Sequence, residues 1–201
     1  MEPFLIVILA YLLGSIPFSH IFPKLKGKDV RESGTKNVGA TNAFVVAGPL
    51  MGALALVGDL AKGYLPVALA QYYNLDSRVV VFTGLAAVLG HDFSLFLKFR
   101  GGKGVATTGG VFLAIEPLFA VIIMLLWVLI ILVTRYFIPS TIIILGIVPV
   151  IMYVLGKRVE FIVFAILAFV LALYTHREDI KRFFAGQELK MPEAVKHYLN
   201  K

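Results

Sequence analysis

Phe119-Ala-Val-Ile-Ile-Met-Leu-Leu-Trp-Val-Leu-Ile-Ile-Leu-Val133 runs for fifteen residues without a charge, an amide or a helix breaker. Strands of an outer-membrane barrel alternate apolar and polar side chains at every step, and this stretch does not. With its flanks, Pro117–Thr134 is long enough to cross a hydrocarbon core once as a helix, which satisfies its backbone polar groups internally. The remainder of the chain extends the pattern. Of 201 residues, 59% are hydrophobic and 15% charged, against about half and about a quarter in a soluble domain. Mean hydropathy is +0.89. The expected fold class is an all-α membrane protein.

Seven apolar segments can be marked: Phe4–Phe22, Phe44–Tyr72, Val79–Leu97, Val105–Ile115, Pro117–Thr134, Pro139–Leu155 and Phe161–Tyr174. Val105 to Thr134 is thirty residues, short of the roughly forty that two full passes need. Glu116-Pro117 splits it, because proline disfavours helix at the residue before it. The stretch therefore reads either as a short helix plus a span or as one long span. Loop charge favours seven transmembrane helices with the N-terminus outside. Lys24, Lys26, Lys28, Arg31, Lys36, Lys98, Arg100, Lys103, Arg135 and the basic tail (Arg177, Lys181, Arg182, Lys190, Lys196, Lys201) then lie on the cytoplasmic side. Only Arg78, Lys157 and Arg158 fall outside, and Lys62 lies within a span. Six spans would set the tail opposite the first two basic loops. The first segment lacks a basic leader and a small-residue cleavage site, so it reads as a retained span. No linker or internal repeat divides residues 1–201, which read as one domain. The net charge of +7 suits cytoplasmic loops and anionic headgroups, and no nucleic-acid partner is expected. With no cysteine, thiolate catalysis and thiolate metal sites are excluded.

Polar chemistry is concentrated in a few places. Phe99-Arg-Gly-Gly-Lys-Gly-Val-Ala-Thr107 sets three glycines and a lysine beside membrane-like sequence. Backbone this bare can turn N–H groups on an oxyanion, and a helix starting at Val105 adds a positive dipole end. Gly104 follows Lys103 where a P-loop needs Ser or Thr, so magnesium-dependent nucleotide hydrolysis is excluded. Arg100, Gly101, Gly102, Lys103 and Gly104 are the candidate phosphate binders; a basic flexible turn is the plain alternative. Arg31-Glu-Ser-Gly-Thr-Lys-Asn-Val-Gly-Ala-Thr-Asn42 reads as a tight polar loop that donates hydrogen bonds, or as an ordinary connection. Asp59 and Lys62 share a face of one span, as a structural ion pair or as part of a polar cavity. His91-Asp92 ends the third span, where the histidine could accept a proton or cap a helix. In His176-Arg-Glu-Asp-Ile-Lys-Arg-Phe-Phe-Ala-Gly-Gln-Glu188, a continuing helix would put His176, Asp179 and Arg182 on one face. The plain alternative is a basic amphipathic tail on anionic lipid.

These segments together resemble the bacterial acyl-phosphate:glycerol-3-phosphate acyltransferase family over essentially the whole chain. The carriers are Gly14-Ser-Ile-Pro-Phe, Gly34-Thr-Lys-Asn-Val-Gly-Ala-Thr-Asn42, Asp59-Leu-Ala-Lys-Gly63, Gly90-His91, Phe99–Thr107 and His176–Arg182 with Gly186 and Glu188. The resemblance implies seven spans with three motifs on the cytoplasmic side of a bacterial inner membrane. It implies glycerol 3-phosphate at Gly101, Gly102, Lys103 and Gly104, a functional histidine at His176 and a structural glutamate at Glu188. Against the family's usual Gly-Ser-Gly-Asn-x-Gly-x-Thr-Asn with a following arginine, this chain carries Thr35, Lys36 and Val45. Asp179 stands at the third motif's usual asparagine.

The implied reaction moves a fatty acyl group from an acyl phosphate to glycerol 3-phosphate, giving lysophosphatidic acid and phosphate. An acyl phosphate is already activated, so the protein's work is to position two anions and stabilise a tetrahedral oxyanion, with no metal or other cofactor. Thr35 and Asn37 are the expected hydrogen-bond donors. His176 is the expected phosphate orienter or proton acceptor, although the substrate's own phosphate could take the proton. Lys36 joins the phosphate binders as a replacement cation. Asn42, Asp59, Lys62, His91, Asp179 and Glu188 are expected in support. Two other readings stand beside this one: a paralogue acting on another phosphorylated alcohol or on none, and a small-anion transporter. The transporter lacks the related halves its class requires.

Overall fold

A computed structural model describes residues 2–191 and 193. Lys196 and Lys201 of the basic tail lie outside the described residues. Among those described there are ten α-helices and no strand. They are α1 (Pro3–Ser15), α2 (Phe18–Lys24), α3 (Ala40–Ala47), α4 (Pro49–Tyr72), α5 (Ser77–Asp92), α6 (Val105–Ile115), α7 (Pro117–Thr134), α8 (Phe137–Val154), α9 (Val159–Thr175) and α10 (Arg177–Phe184). A short 3-10 turn, Leu95–Leu97, follows α5.

Five helical stretches are long and apolar enough to cross a membrane: α1 with α2, α4, α5 with the 3-10 turn, α7, and α8. A sixth is reached if α9 and α10, bent by 65° at their junction, count as one. The eleven residues of α6 span only about 16 Å. The surface agrees with that assignment. Leu118, Leu125, Leu129, Leu132 and Val133 of α7 are exposed, a face that water would not tolerate and acyl chains solvate.

Helix ends follow the prolines. Glu116 leaves the helical region ahead of Pro117, so α6 and α7 are separate and the short-helix-plus-span alternative holds. Gly48, at φ 91°, ends α3 and lets Pro49 open α4. Phe4–Phe22, expected as one span, is built from two helices with a break at Ile16-Pro17, where Ile16 is extended for the same steric reason. The helix also does not continue through His176, which leaves Asp179 and Arg182 on α10 and the histidine at the bend.

Close packing holds the bundle. A methyl at Gly14 would fall on the Ala87 backbone and one at Gly90 on that of Tyr11, so α1 and α5 meet backbone to backbone. Gly63 against Thr107 and Gly110 against Leu60 do the same for α4 and α6. Small residues are how helices approach where lipid removes the hydrophobic drive to associate. Phe164, Val88, Val111, Val148 and Met152 fill the centre between α5, α6, α8 and α9, and the Phe112 and Phe164 rings meet edge to face at 5.2 Å. At the far end of α6 from Lys103, Lys157 bonds Glu116 at 2.8 Å.

Candidate active site

The 31–42 loop is organised by Asn42, whose side chain is buried at the start of α3. Its amide nitrogen lies within bonding distance of three carbonyls, those of Val30 (2.8 Å), Asn37 (2.9 Å) and Ser33 (3.2 Å). Its oxygen accepts from the Thr35 N–H at 2.9 Å. With all its polar atoms engaged by the loop, Asn42 shapes the loop and leaves Asn37 on its inner side. Thr35 and Lys36 are exposed, and the Thr35 hydroxyl accepts from the Asn37 N–H at 3.4 Å. Val45 is buried. Ahead of the loop, Asp29 accepts three bonds from Arg31 and one from Lys24. The Arg31 guanidinium holds this carboxyl well below the usual carboxylate range.

The glycine cluster folds back on the end of α5. The Gly101 N–H donates to the Asp92 carbonyl and the Gly102 N–H to the His91 carbonyl, both at 3.0 Å. Two of the amides expected to face an anion are thus engaged by the protein itself. The glycines serve a closer purpose: a Cβ on Gly101 would overlap the His91 carbonyl oxygen, and one on Gly102 would overlap the His91 ring and the Val38 carbonyl. Gly104 is left-handed, at φ 69°, and forms the cap from which α6 departs at Val105, where expected. The first turn of α6 directs the N–H groups of Val105, Ala106 and Thr107 toward that end.

Behind the cluster lies a buried polar network. Asp59 accepts from the Ser19 hydroxyl at 2.5 Å and pairs with Lys62 at 2.9 Å. Lys62 also donates to the Ile16 carbonyl at 2.8 Å, which is free because α1 ends there. His91 Nδ1 stands 3.6 Å from Asp59. These groups tie α4 to the α1–α2 break and to the residue whose carbonyl holds Gly102.

The three segments converge. A cleft of about 240 Å³ is lined by Asn37 from the first, Arg100, Gly101, Gly102 and Lys103 from the second, and Arg177 from the third, with Tyr174 and Thr175 of the α9 end and Asp92 and Phe93 between. Lys103 is ion-paired with Asp179, which also pairs with Arg182; Arg182 in turn bonds Glu188 at 3.2 Å. His176 is buried just beyond α9, with Nδ1 2.9 Å from the Ala172 carbonyl. A carbonyl only accepts, so Nδ1 carries the proton and Nε2 keeps its lone pair. Burial, then the Lys103 ammonium, lowers the pKa of this imidazole from its ordinary value and keeps it neutral.

Asn37, Arg100, Gly101, Gly102 and Lys103 therefore share one wall, with Asp179 and Glu188 linked to it through ion pairs. Thr35, Lys36 and His176 are not among the lining residues, and Asp59, Lys62 and His91 lie behind it. Thr175 has no place among the candidates the sequence offers, and Arg177 and Asp92 enter there only as neighbours of a histidine. Arg177 adjoins His176 and Asp92 adjoins His91, so adjacency to a nominated histidine was the available signal. Both carboxylate oxygens of Asp92 are buried without a hydrogen-bond partner.

Fold and cleft define a class: a helical integral membrane protein that gathers basic and amide side chains at one end of its bundle, suited to a phosphorylated ligand. A sequence profile described as glycerol-3-phosphate acyltransferase matches residues 4–186. Glycerol-3-phosphate acyltransferase 2 of Thermotoga maritima is 42% identical over 185 residues, covering 92% of this chain and 94% of the relative. The glycerol-3-phosphate acyltransferase of Aquifex aeolicus is 42% identical over 189 residues, covering 94% and 98%. The crystal structure of PlsY, an integral membrane glycerol 3-phosphate acyltransferase, in its glycerol 3-phosphate form superposes with a TM-score of 0.89 at 41% identity, covering 94% of each chain. Its lysophosphatidic acid form gives 0.88 at 39% identity, covering 96% and 98%. The chain belongs to the glycerol-3-phosphate acyltransferase family.

Proposed function

We propose that this protein transfers a fatty acyl group from an acyl phosphate to glycerol 3-phosphate, releasing lysophosphatidic acid and inorganic phosphate. The observation that carries the reading is the convergence of Lys103, Arg100, Arg177 and Asn37 on one cleft, in a chain of this family. Three cations lining one cleft suit phosphoryl oxygens, with Lys103, beside the start of α6, as the central one. The glycerol hydroxyl attacks the acyl carbon, the tetrahedral oxyanion collapses, and the carbon–oxygen bond to phosphate breaks with its electron pair leaving on phosphate. Asn37 donates to the oxyanion. The hydroxyl proton passes to the Nε2 lone pair of His176 or to the substrate's own phosphate. Thr35, through its hydroxyl, and Lys36 act on Asn37 and on the field at the cleft mouth. Asn42, Asp59, Lys62, His91 and Glu188 hold the loops in place.

Residues 1–201 form one acyltransferase domain with seven passes: α1 with α2, α4, α5, α6, α7, α8 and α9. The N-terminus is outside, and the cleft is on the cytoplasmic face of a bacterial inner membrane, where both phosphorylated substrates are accessible. Loop charge supports this orientation, and the short α6 crosses by packing against α4. The acyl chain lies between helices and opens to lipid. The test is purified protein in detergent with palmitoyl phosphate and radiolabelled glycerol 3-phosphate. Labelled lysophosphatidic acid is the expected product. Its absence from folded protein, with activity appearing on another phosphorylated alcohol, would shift the reading to the paralogue.

A further inference from the structure

Lys103 lines the cleft, yet its ammonium is paired with a carboxylate of the same chain, Asp179. The other Asp179 oxygen pairs with Arg182, and the Asp179 side chain is only 7% exposed, so water and salt screen these pairs weakly. Asp179 also occupies the first turn of α10, where the positive end of the helix favours an anion. Two cations and a helix end thus share one carboxylate, and of the two cations only Lys103 lines the cleft. A phosphoryl group brought to Lys103 meets that fixed negative charge on the same ammonium.

We propose that Asp179 is an internal competitor for the phosphoryl group at Lys103: it sets how tightly the cleft holds a phosphorylated alcohol, and it withdraws onto Arg182 when the substrate arrives. The exchange keeps every charge compensated. The phosphate takes Lys103, while Asp179 keeps Arg182 and the α10 end, and Arg182 keeps Glu188 as its second partner. Asp179 is a positioning residue that acts through Lys103 and does not touch substrate. Its effect is to loosen binding, so that lysine and product phosphate separate readily at each turnover. This rests on the reading of Lys103 as the cation of the substrate's phosphate.

The experiment is calorimetric titration of the full-length protein in nanodiscs with glycerol 3-phosphate, and separately with inorganic phosphate, alongside steady-state kinetics. Asp179→Asn is expected to bind both anions about tenfold more tightly, the scale of removing one like charge near the site, with KM for glycerol 3-phosphate falling in step. Arg182→Gln, which leaves Asp179 to lean on Lys103 alone, is expected to bind about threefold more weakly. In a Lys103→Ala background the gain from Asp179→Asn is expected to vanish. A merely structural Asp179 would give the opposite sign, since losing an ion pair loosens the site. Unchanged or weaker binding by Asp179→Asn, or a gain that persists without Lys103, overturns the proposal. Should Asp179→Asn fail to fold, Arg182→Gln decides, and binding that is unchanged or tighter overturns it. If Lys103→Ala alone binds glycerol 3-phosphate as well as the unaltered protein, the assignment of the cleft itself has failed, a result separate from those on Asp179.

Discussion

Gly101 shows how one missing side chain positions a reaction. Its α-carbon sits so near the His91 carbonyl that any Cβ must lift the loop from α5, and Lys103 rides two residues further on. Displacing a binding group by about 1 Å can cost about 100-fold in rate. Gly101→Ala is therefore expected to lower initial rates of acyl transfer by about that factor while helix content, read by circular dichroism, stays intact. A full-rate variant would show that the loop's close seat on α5 is irrelevant to chemistry. Asn42 works through hydrogen bonds. Truncation to alanine strands the buried Val30 carbonyl, at about 1–3 kcal/mol for such a group left unsatisfied, and frees the part-buried carbonyls of Ser33 and Asn37. Asn42→Ala should show a lower midpoint of thermal unfolding, and an unchanged midpoint would contradict the hub role.

At the scale of elements, Asp59 and Lys62 fasten α4 to the break between α1 and α2. Both side chains are nearly inaccessible, and Lys62 has a carbonyl partner in Ile16 as well as its carboxylate. Removing one member of a buried pair typically costs about 3–5 kcal/mol, whereas removing both together is often close to neutral. Lys62→Met is expected to destabilise the protein on that scale in detergent unfolding, and Asp59→Leu with Lys62→Met to recover most of it. Equal loss in both variants would mean that the charges themselves are needed. Much of the element plan was legible in advance. Apolar runs place the helices, and Glu116-Pro117 marks one break. Ile16-Pro17 carries the same local signal, masked by the apolar run around it. Position along the chain marked the site segments because glycine, lysine and amide residues cluster there. What joined them was not legible: Lys103 and Asp179 lie 76 positions apart, and only the bend at His176 turns α10 back over the α6 end. In sequence the glycines present themselves as open amides, but close approach to α5 is their reason, and that distance is a property of packing.

For the whole molecule, the charge pattern and the cleft give one orientation that an independent probe can check. The chain has no cysteine, so single cysteines report position cleanly. In inside-out vesicles, a membrane-impermeant maleimide is expected to label Lys28→Cys and Gln187→Cys but not Lys157→Cys, with the reverse in right-side-out preparations. Labelling of all three from one side would contradict seven passes. The central claim, that this bundle brings a phosphorylated acceptor to Lys103 and acylates it, has a direct measurement. Unaltered protein and Lys103→Ala, both shown to be folded, are incubated with palmitoyl phosphate and radiolabelled glycerol 3-phosphate, and labelled lysophosphatidic acid is followed in time. The account predicts product from the unaltered protein and a loss of about 100-fold or more in the variant, the scale of removing one electrostatic group from an acyl-transfer site. No product from folded unaltered protein, or equal rates from the two, would contradict it.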